Sequence, residues 1–292
     1  MTLDPRTNAF RSDLADLSLR DSVKASAYVE PVLRQSLRGV LPMLGSPHMD
    51  ATQISQVRYG EFVDVFEERD DGFAWVQNRV DRYVGYIPSA GILSDSIAMM
   101  SNRVTALRTF VYPEPNIKTP PIDELTLGSF VSIARKEGKF IELTGGGFVF
   151  SKHVMATEFA NATDYVFTAG RLLHTPYLWG GRTPKGIDCS GLTQLVLEMA
   201  GIDVPRDSDQ QRDAFGRELD DHWRDHAWHR GDIVYFAPDP HIGIMTGIDH
   251  IIHASGHTMD VTVEPLADVV ERGNNVIALT DAAQLHALIT SS

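Results

Sequence analysis

The sequence predicts two small all-β domains followed by an α+β domain, and three observations carry that expectation. The first is a change of character near Thr157, where short strand-like runs give way to helical spacing. The second is a weak internal repeat upstream of that point. Gly60-Glu-Phe-Val-Asp-Val65 is echoed by Gly128-Ser-Phe-Val-Ser-Ile133, too few copies for a solenoid and enough for tandem domains. The third is a helix-period segment, Cys189–Ala200, with strand-like runs behind it. A chain of 292 residues also exceeds the usual single-domain length of about 150 residues.

Residues 1–24 read as a polar arm with one helical stretch around Ser12–Leu19. Residues 25–95 carry short strands: a run at Phe62, Val63 and Val65, a turn at Asp71-Gly72, then Phe73–Gln77, and Tyr83–Ile87 before Pro88. Residues 96–156 repeat the scheme, with Glu137-Gly138 at the turn and Phe140–Leu143 after it. Tyr112-Pro-Glu-Pro115 and Thr119-Pro-Pro121 mark an extended loop. Short strands with regular turns favour an SH3-like barrel for each copy. Residues 157–292 form the last domain. Asp164–Leu173 has helical spacing with Thr163 as its cap. In Cys189–Ala200, Leu192, Leu195, Val196 and Met199 fall on one face, and Gly201 stands where a helix stops. Strands are expected at Ile233–Phe236, Ile242–Thr246 and Ile251–Ala254.

The formal net charge of −13 argues against a nucleic-acid or anionic-membrane partner, because no basic surplus exists to release counterions. Cys189 is the one cysteine, so no intrachain disulfide is possible. The N-terminal residues lack the apolar run of a signal peptide, and no apolar window is long enough to span a bilayer. A cytoplasmic location is the resulting expectation.

Chemistry concentrates around Cys189. It follows Asp188, a capping residue type, and opens a helix, where backbone N–H groups and the helix dipole favour the thiolate. A lone cysteine is more often a small buried apolar group, but the glycines at 180, 181, 186 and 191 allow another chain to come close. His241 begins a strand-like run in which it shares a face with Gly243 and Met245. It is the candidate general base, and His253, twelve residues on, is the candidate orienting partner. A metal site is the alternative reading of the histidines. His222 and His226 have helical i, i+4 spacing, but Trp223 stands where a metalloprotease motif has Glu. No metal and no cofactor are expected.

From about residue 160 the chain resembles the NlpC/p-sixty peptidases, papain-like cysteine peptidases of cell-wall peptides. The motifs that carry this are Tyr177-Leu-Trp-Gly-Gly181, Gly186-Ile-Asp-Cys-Ser-Gly-Leu192, Arg206-Asp-Ser-Asp-Gln-Gln211, Arg230-Gly-Asp-Ile-Val-Tyr-Phe236, His241-Ile-Gly-Ile244 and Ile252-His-Ala-Ser255. With two SH3-like domains ahead, the arrangement resembles the γ-D-glutamyl-L-diamino acid peptidases of the dipeptidyl-peptidase VI type.

The resemblance implies a papain-like α+β catalytic domain with Cys189 as nucleophile, His241 as base and His253 as the third member. It implies that Asp207 and Ser208 meet the free amine and backbone of the first substrate residue. Tyr177, Trp179, Asp188 and Ser190 would line the cleft. Glu61 and Tyr83 would close its amine end, although Val84 and Tyr86 depart from the expected Pro and Trp beside Tyr83. The implied substrate is a small murein peptide, L-Ala-γ-D-Glu-diamino acid, met during peptidoglycan recycling. Two other readings remain: an amidase or acyltransferase using the same Cys–His pair, and a wall-peptide-binding protein with a silent catalytic domain.

Overall fold

The computed structural model describes residues 3–89, 93–94, 100–219 and 223–291. The chain divides into two compact units, Met1–Ala160 and Asn161–Ser292. The expected boundary at residues 95 and 96 and the candidate ligand His222 lie outside the described residues.

In the first unit a seven-stranded antiparallel sheet runs in the order Gln53–Arg58, Val40–Leu44, Val84–Pro88, Phe73–Asn78, Phe62–Glu68, Val32–Ser36 and Leu93–Ser94. Strand alternation sorts its side chains. Leu41, Met43, Val57, Val63, Val65, Ala74, Val76, Tyr83 and Ile87 form one buried cluster. Phe66, Trp75 and Val84 form another, and that one is completed by Ala9 from the N-terminal residues.

Residues 3–24 therefore do not form a separate arm but pack onto this sheet. Leu14–Asp16 pairs in parallel with Ala27–Val29. The Arg11 guanidinium lies 4.3 Å from the centre of the Trp75 ring and bonds Glu67 at 2.8 Å. Of the helix expected around Ser12–Leu19, only a 3₁₀ turn at Leu17–Leu19 forms, capped by Asp16. The backbone ahead of it is claimed by the neighbouring strand.

The repeat unit builds three small sheets around one core. Asn102–Val104 lies between Phe130–Val131 and Val154–Ala156, Arg108–Val111 pairs with Asp123–Thr126, and Ile133–Glu137 continues into Phe140–Leu143 and Phe148–Phe150. The echoed glycines do the same job, since Gly60 and Gly128 have φ of 82° and 86°, which side-chain-bearing residues avoid. The two halves are knit together. Tyr59 is buried in the cluster of Val104, Val111, Leu125, Val131, Ile141, Leu143 and Val149, and its carbonyl accepts from the Phe130 N–H at 3.0 Å.

The second unit joins helices to a six-stranded antiparallel sheet. Its order is Arg217–Glu218, Asn275–Thr280, Ile233–Ala237, His241–Met245, His250–Ser255 and Asp260–Pro265. The strands fall where the apolar runs place them, to within a residue or two. The first helix is shorter than its spacing suggests, Tyr165–Gly170, and its cap is Asp164, one residue after Thr163. Asp164 accepts from the Phe167 N–H at 2.9 Å and from Arg230 at 2.8 Å, a charge-assisted pairing that Thr163 could not make. The helix Cys189–Met199 is almost wholly buried, and Gly201 follows it at φ 87°. No described helix is long and apolar enough to cross a membrane.

Candidate active site

Two strands and one helix bring the candidate residues together. Asp188 caps the helix with extended backbone, and its Oδ1 accepts from the Gly191 N–H at 2.7 Å. That fixes Cys189 as the first helical residue. The helix start is held against the preceding loop, because a Cβ on Gly191 would lie 2.1 Å from the Gly181 carbonyl oxygen. Backbone N–H groups of Ser190 and Ile242 point at the Cys189 sulfur. Ile242 immediately follows His241, so the thiol sits beside the start of the histidine strand.

The expected acidification of the thiol does not follow. Burial, then the Asp188 carboxylate, push the Cys189 thiol up to about 12, against the smaller opposing pull of the Ser190 N–H, Arg206 and the Ile242 N–H. The same burial, with His253 and Arg272 nearby, lowers His241 to about 3. Cys189 and His241 both keep some surface exposed. The directions of these shifts leave a neutral thiol and a neutral imidazole at rest.

His241 Nε2 lies 2.6 Å from His253 Nδ1, and the rings meet edge to face. Gly243 makes that approach possible: it lies on the histidine strand against the next strand, and a Cβ there would meet Ile251 at 2.5 Å and the His253 Cβ at 3.0 Å. His253 is buried, and its Nε2 lies 3.0 Å from Glu264 Oε2. Glu264 in turn is bonded by both terminal nitrogens of Arg272, one of them at 3.2 Å. The Arg272 guanidinium holds the Glu264 carboxyl below the usual carboxylate range.

These contacts determine where the protons lie. An ionised carboxylate only accepts, so His253 Nε2 carries a hydrogen and donates to Glu264. In the neutral ring His253 Nδ1 is then an acceptor, so His241 Nε2 donates to it. His241 Nδ1 is left with a free lone pair, the nitrogen available as base toward the thiol.

Other expected residues are placed as follows. The Tyr177 hydroxyl is raised above its ordinary value by burial and then by Cys189 and Asp188, which puts it beside the thiol. Trp179 is 62% exposed. Asp188 and Ser190 turn their side chains inward. Asp188 Oδ2 accepts from Arg206 at 2.6 Å and from the Gly180 N–H at 2.8 Å, while Ser190 Oγ accepts from Arg206 at 2.8 Å. They brace the loop around the nucleophile from behind. Asp207 caps the helix Ser208–Phe215 in a capping box with Gln210, and Ser208 is its first residue. Both are partly exposed.

In the first unit, Glu61 has both carboxylate oxygens engaged. Oε1 takes Arg58 at 2.7 Å, and Oε2 takes the Arg58 N–H at 3.0 Å and Asn78 at 2.9 Å. The charge assigned to a substrate ammonium is thus already neutralised by Arg58. Tyr83 is 5% exposed and belongs to the barrel core. Of the two histidines with i, i+4 spacing, His226 packs edge-on against Trp228 at 4.7 Å. Among the described residues no group of three His, Cys, Asp or Glu could hold a metal ion.

Sequence reasoning missed Glu264, Arg272 and the role of Arg206. Glu264 lies in the strand beside His253, where Thr262 is the direct partner of His253 and Glu264 is two residues further on the same face. Only the register shows that proximity.

Known families match a stretch of each unit. The NlpC/P60 family profile matches residues 174–274, and the bacterial dipeptidyl-peptidase Sh3 domain profile matches residues 43–92. A γ-D-glutamyl-L-lysine dipeptidyl-peptidase of Bacillus cereus is 29% identical over 157 residues, 52% of this chain and 45% of that protein. The dipeptidyl-peptidase 6 of Lysinibacillus sphaericus is 26% identical over 245 residues, 77% of this chain and 88% of that protein. The chain thus spans under half of the first relative's length and most of the second's. A crystal structure of an NlpC/P60 family protein from Bacillus cereus has the same fold, with a TM-score of 0.72 at 18% identity over 86% of this chain and 99% of that one. The chain carries a cysteine peptidase domain of the NlpC/P60 family and a bacterial dipeptidyl-peptidase SH3 domain.

Proposed function

We propose that this peptidase hydrolyses cell-wall peptides, cutting the amide between the γ-carboxyl of D-Glu and the diamino acid in peptides that begin with a free L-Ala. The observation that carries the chemistry is the hydrogen-bonded line from His241 through His253 to Glu264 beside the Cys189 helix start. The substrate reading is supported by the relatives, two of which are named for dipeptidyl-peptidase activity, one of them on γ-D-glutamyl-L-lysine.

In the proposed course, His241 Nδ1 takes the thiol proton as the Cys189 sulfur attacks the scissile carbonyl. The resting pair is neutral, so proton transfer accompanies attack. The oxyanion that forms is met by backbone N–H groups at the helix start, which have no partners inside the helix. His241 then gives its proton to the leaving amine of the diamino acid. Water, activated at the same nitrogen, releases the L-Ala-γ-D-Glu product from the thioester.

The proposed preference for a free amine rests on Asp207, partly exposed at its helix cap, as carboxylate partner. Recycling of released wall peptides in the cytoplasm is the setting we assign to the reaction, and cell fractionation tests it. Incubation with L-Ala-γ-D-Glu-diaminopimelate and its N-acetylated form, followed by mass spectrometry, tests the substrate. The free peptide is expected to be cut and the acetylated one spared; equal rates on both would remove the free-amine reading. Cys189→Ala is expected to lose at least ~10³-fold in kcat.

A further inference from the structure

Behind His253 the structure carries a paired carboxylate and guanidinium that the sequence motifs do not touch. The Glu264 side chain is 17% exposed and that of Arg272 28%, so the pair lies largely under the surface. Glu264 presents one oxygen to His253 Nε2 at 3.0 Å and the other to Arg272 at 3.2 Å. A surface ion pair would have no reason to end on a buried imidazole. This one ends on the imidazole whose other nitrogen holds the catalytic base.

We propose that Glu264, clamped by Arg272, is a positioning residue that sets the direction of the hydrogen bonds through His253 and His241. It holds His241 in the tautomer whose Nδ1 faces the thiol unprotonated. Two imidazoles in a row are symmetric by themselves. Either His241 donates to His253 or the reverse, and the two states differ only by which ring nitrogens carry hydrogen. In the reversed state His241 Nδ1 carries a hydrogen and cannot accept the thiol proton. A carboxylate at the far end removes the symmetry because it can only accept. Arg272 makes the carboxylate dependable by keeping it ionised and fixing its rotamer.

The groups facing His253 are few. His241 comes from the strand on one side, Glu264 and Asp260 from the strand on the other, and Arg272 from beyond the helix Leu266–Glu271. Asp260 acts on His253 through space, while Glu264 is the hydrogen-bond partner of Nε2.

The inference rests on the reading of Cys189, His241 and His253 as the catalytic set, and not on the choice of peptide. The test compares the wild-type enzyme with Glu264→Ala and Glu264→Gln. Nitrogen-15 NMR of labelled histidine reads the tautomers without substrate. In the wild type both His241 and His253 are expected as Nε2–H forms. In Glu264→Ala the His241 signal is expected to move toward the Nδ1–H form. kcat on the γ-D-glutamyl peptide is expected to fall about 10- to 100-fold, the loss typical when the hydrogen-bond partner behind a metal-bound histidine is removed, with KM little changed. Glu264→Gln keeps the shape and one acceptor oxygen; it is expected to keep kcat to the extent that it keeps the Nε2–H form.

Unchanged tautomers in Glu264→Ala would overturn the proposal, and so would a loss of kcat in a folded variant whose tautomers are those of the wild type. If Glu264→Ala does not fold, Glu264→Gln and Arg272→Met carry the same comparison. A wild-type enzyme that leaves the peptide uncut contradicts the proposed substrate alone. The tautomer comparison still decides this inference, with the rate of chloroacetamide inactivation at Cys189 replacing kcat.

Discussion

The Cys189 thiol meets two opposing influences at the start of its helix. The aligned peptide dipoles and the N–H groups of Ser190 and Ile242 favour a thiolate. Burial and the Asp188 carboxylate favour the thiol and prevail, with the group pushed up to about 12. His241, lowered to about 3 by the same burial, stays neutral over the range between. The sign of the pH dependence follows. A thiol titrating near 12 exposes more thiolate with each step upward in pH, and an imidazole titrating near 3 offers no cation to hold it at neutral pH. Inactivation by chloroacetamide is therefore expected to rise continuously from pH ~6 to ~10, without the plateau below the ordinary thiol value of about 8.5 that a thiolate–imidazolium pair produces. A pH-independent rate across neutrality would show that the ion pair forms. The residue type and its place at the helix start were readable from the sequence, whereas the direction of its titration was not. Burial is a property of what packs around the sulfur, and neither the capping position of Asp188 nor its place in the cleft motif shows that its charge opposes the thiolate.

At the scale of elements, the site is one helix start and three adjacent strands, and each is braced by a contact that can be broken. The brace of the helix start is the buried pair of Asp188 and Arg206, 10% and 1% exposed in their side chains. Asp188→Ala leaves the guanidinium without its main partner, and about 3–5 kcal/mol of stability is expected to be lost in urea unfolding. Arg206→Met in the same background should recover part of it, because the orphaned charge is removed. Between the strands, Gly243 is the brace, and Gly243→Ala forces its Cβ against Ile251 and the His253 Cβ. The expected outcome is a folded protein, seen by circular dichroism, with a large loss of kcat as His253 shifts from His241. A wild-type kcat in that variant would mean the strands can part without disturbing the pair. Spacing alone locates the Cys189 helix, its Gly201 stop and the apolar runs of the sheet, since each is a local pattern. Glu264 and Arg272 escape such reading because their link to His253 depends on strand register. The Ser12–Leu19 segment misleads for the same reason: its partner strand, Ala27–Val29, is invisible from within the segment.

At the scale of the whole molecule, the first unit is a joint structure and not a pair of independent beads. Tyr59, from the sheet of residues 32–94, is 6% exposed and buried in the core of the repeat half. Its neighbour Gly60 comes so near that a Cβ there would lie 2.0 Å from the Phe130 carbonyl oxygen. The internal repeat shows two copies of a scheme, but it does not show that they share a core. Truncating a large buried aromatic residue to Ala typically costs about 3–5 kcal/mol. Tyr59→Ala is accordingly expected to lower the melting temperature of both halves together, in a single calorimetric transition for residues 1–160. Two separate transitions, only one of them displaced, would show that the halves fold apart. The same fragment boundary tests what the first unit contributes to specificity. If that unit limits which peptides are admitted, residues 161–292 expressed alone will keep chloroacetamide-reactive Cys189. They will also lose the discrimination between L-Ala-γ-D-Glu-diaminopimelate and its N-acetylated form that we propose for the full chain. Retained discrimination would place the amine recognition wholly within the catalytic unit, on Asp207. Glu61 would then keep only the structural role its bonds to Arg58 and Asn78 already give it.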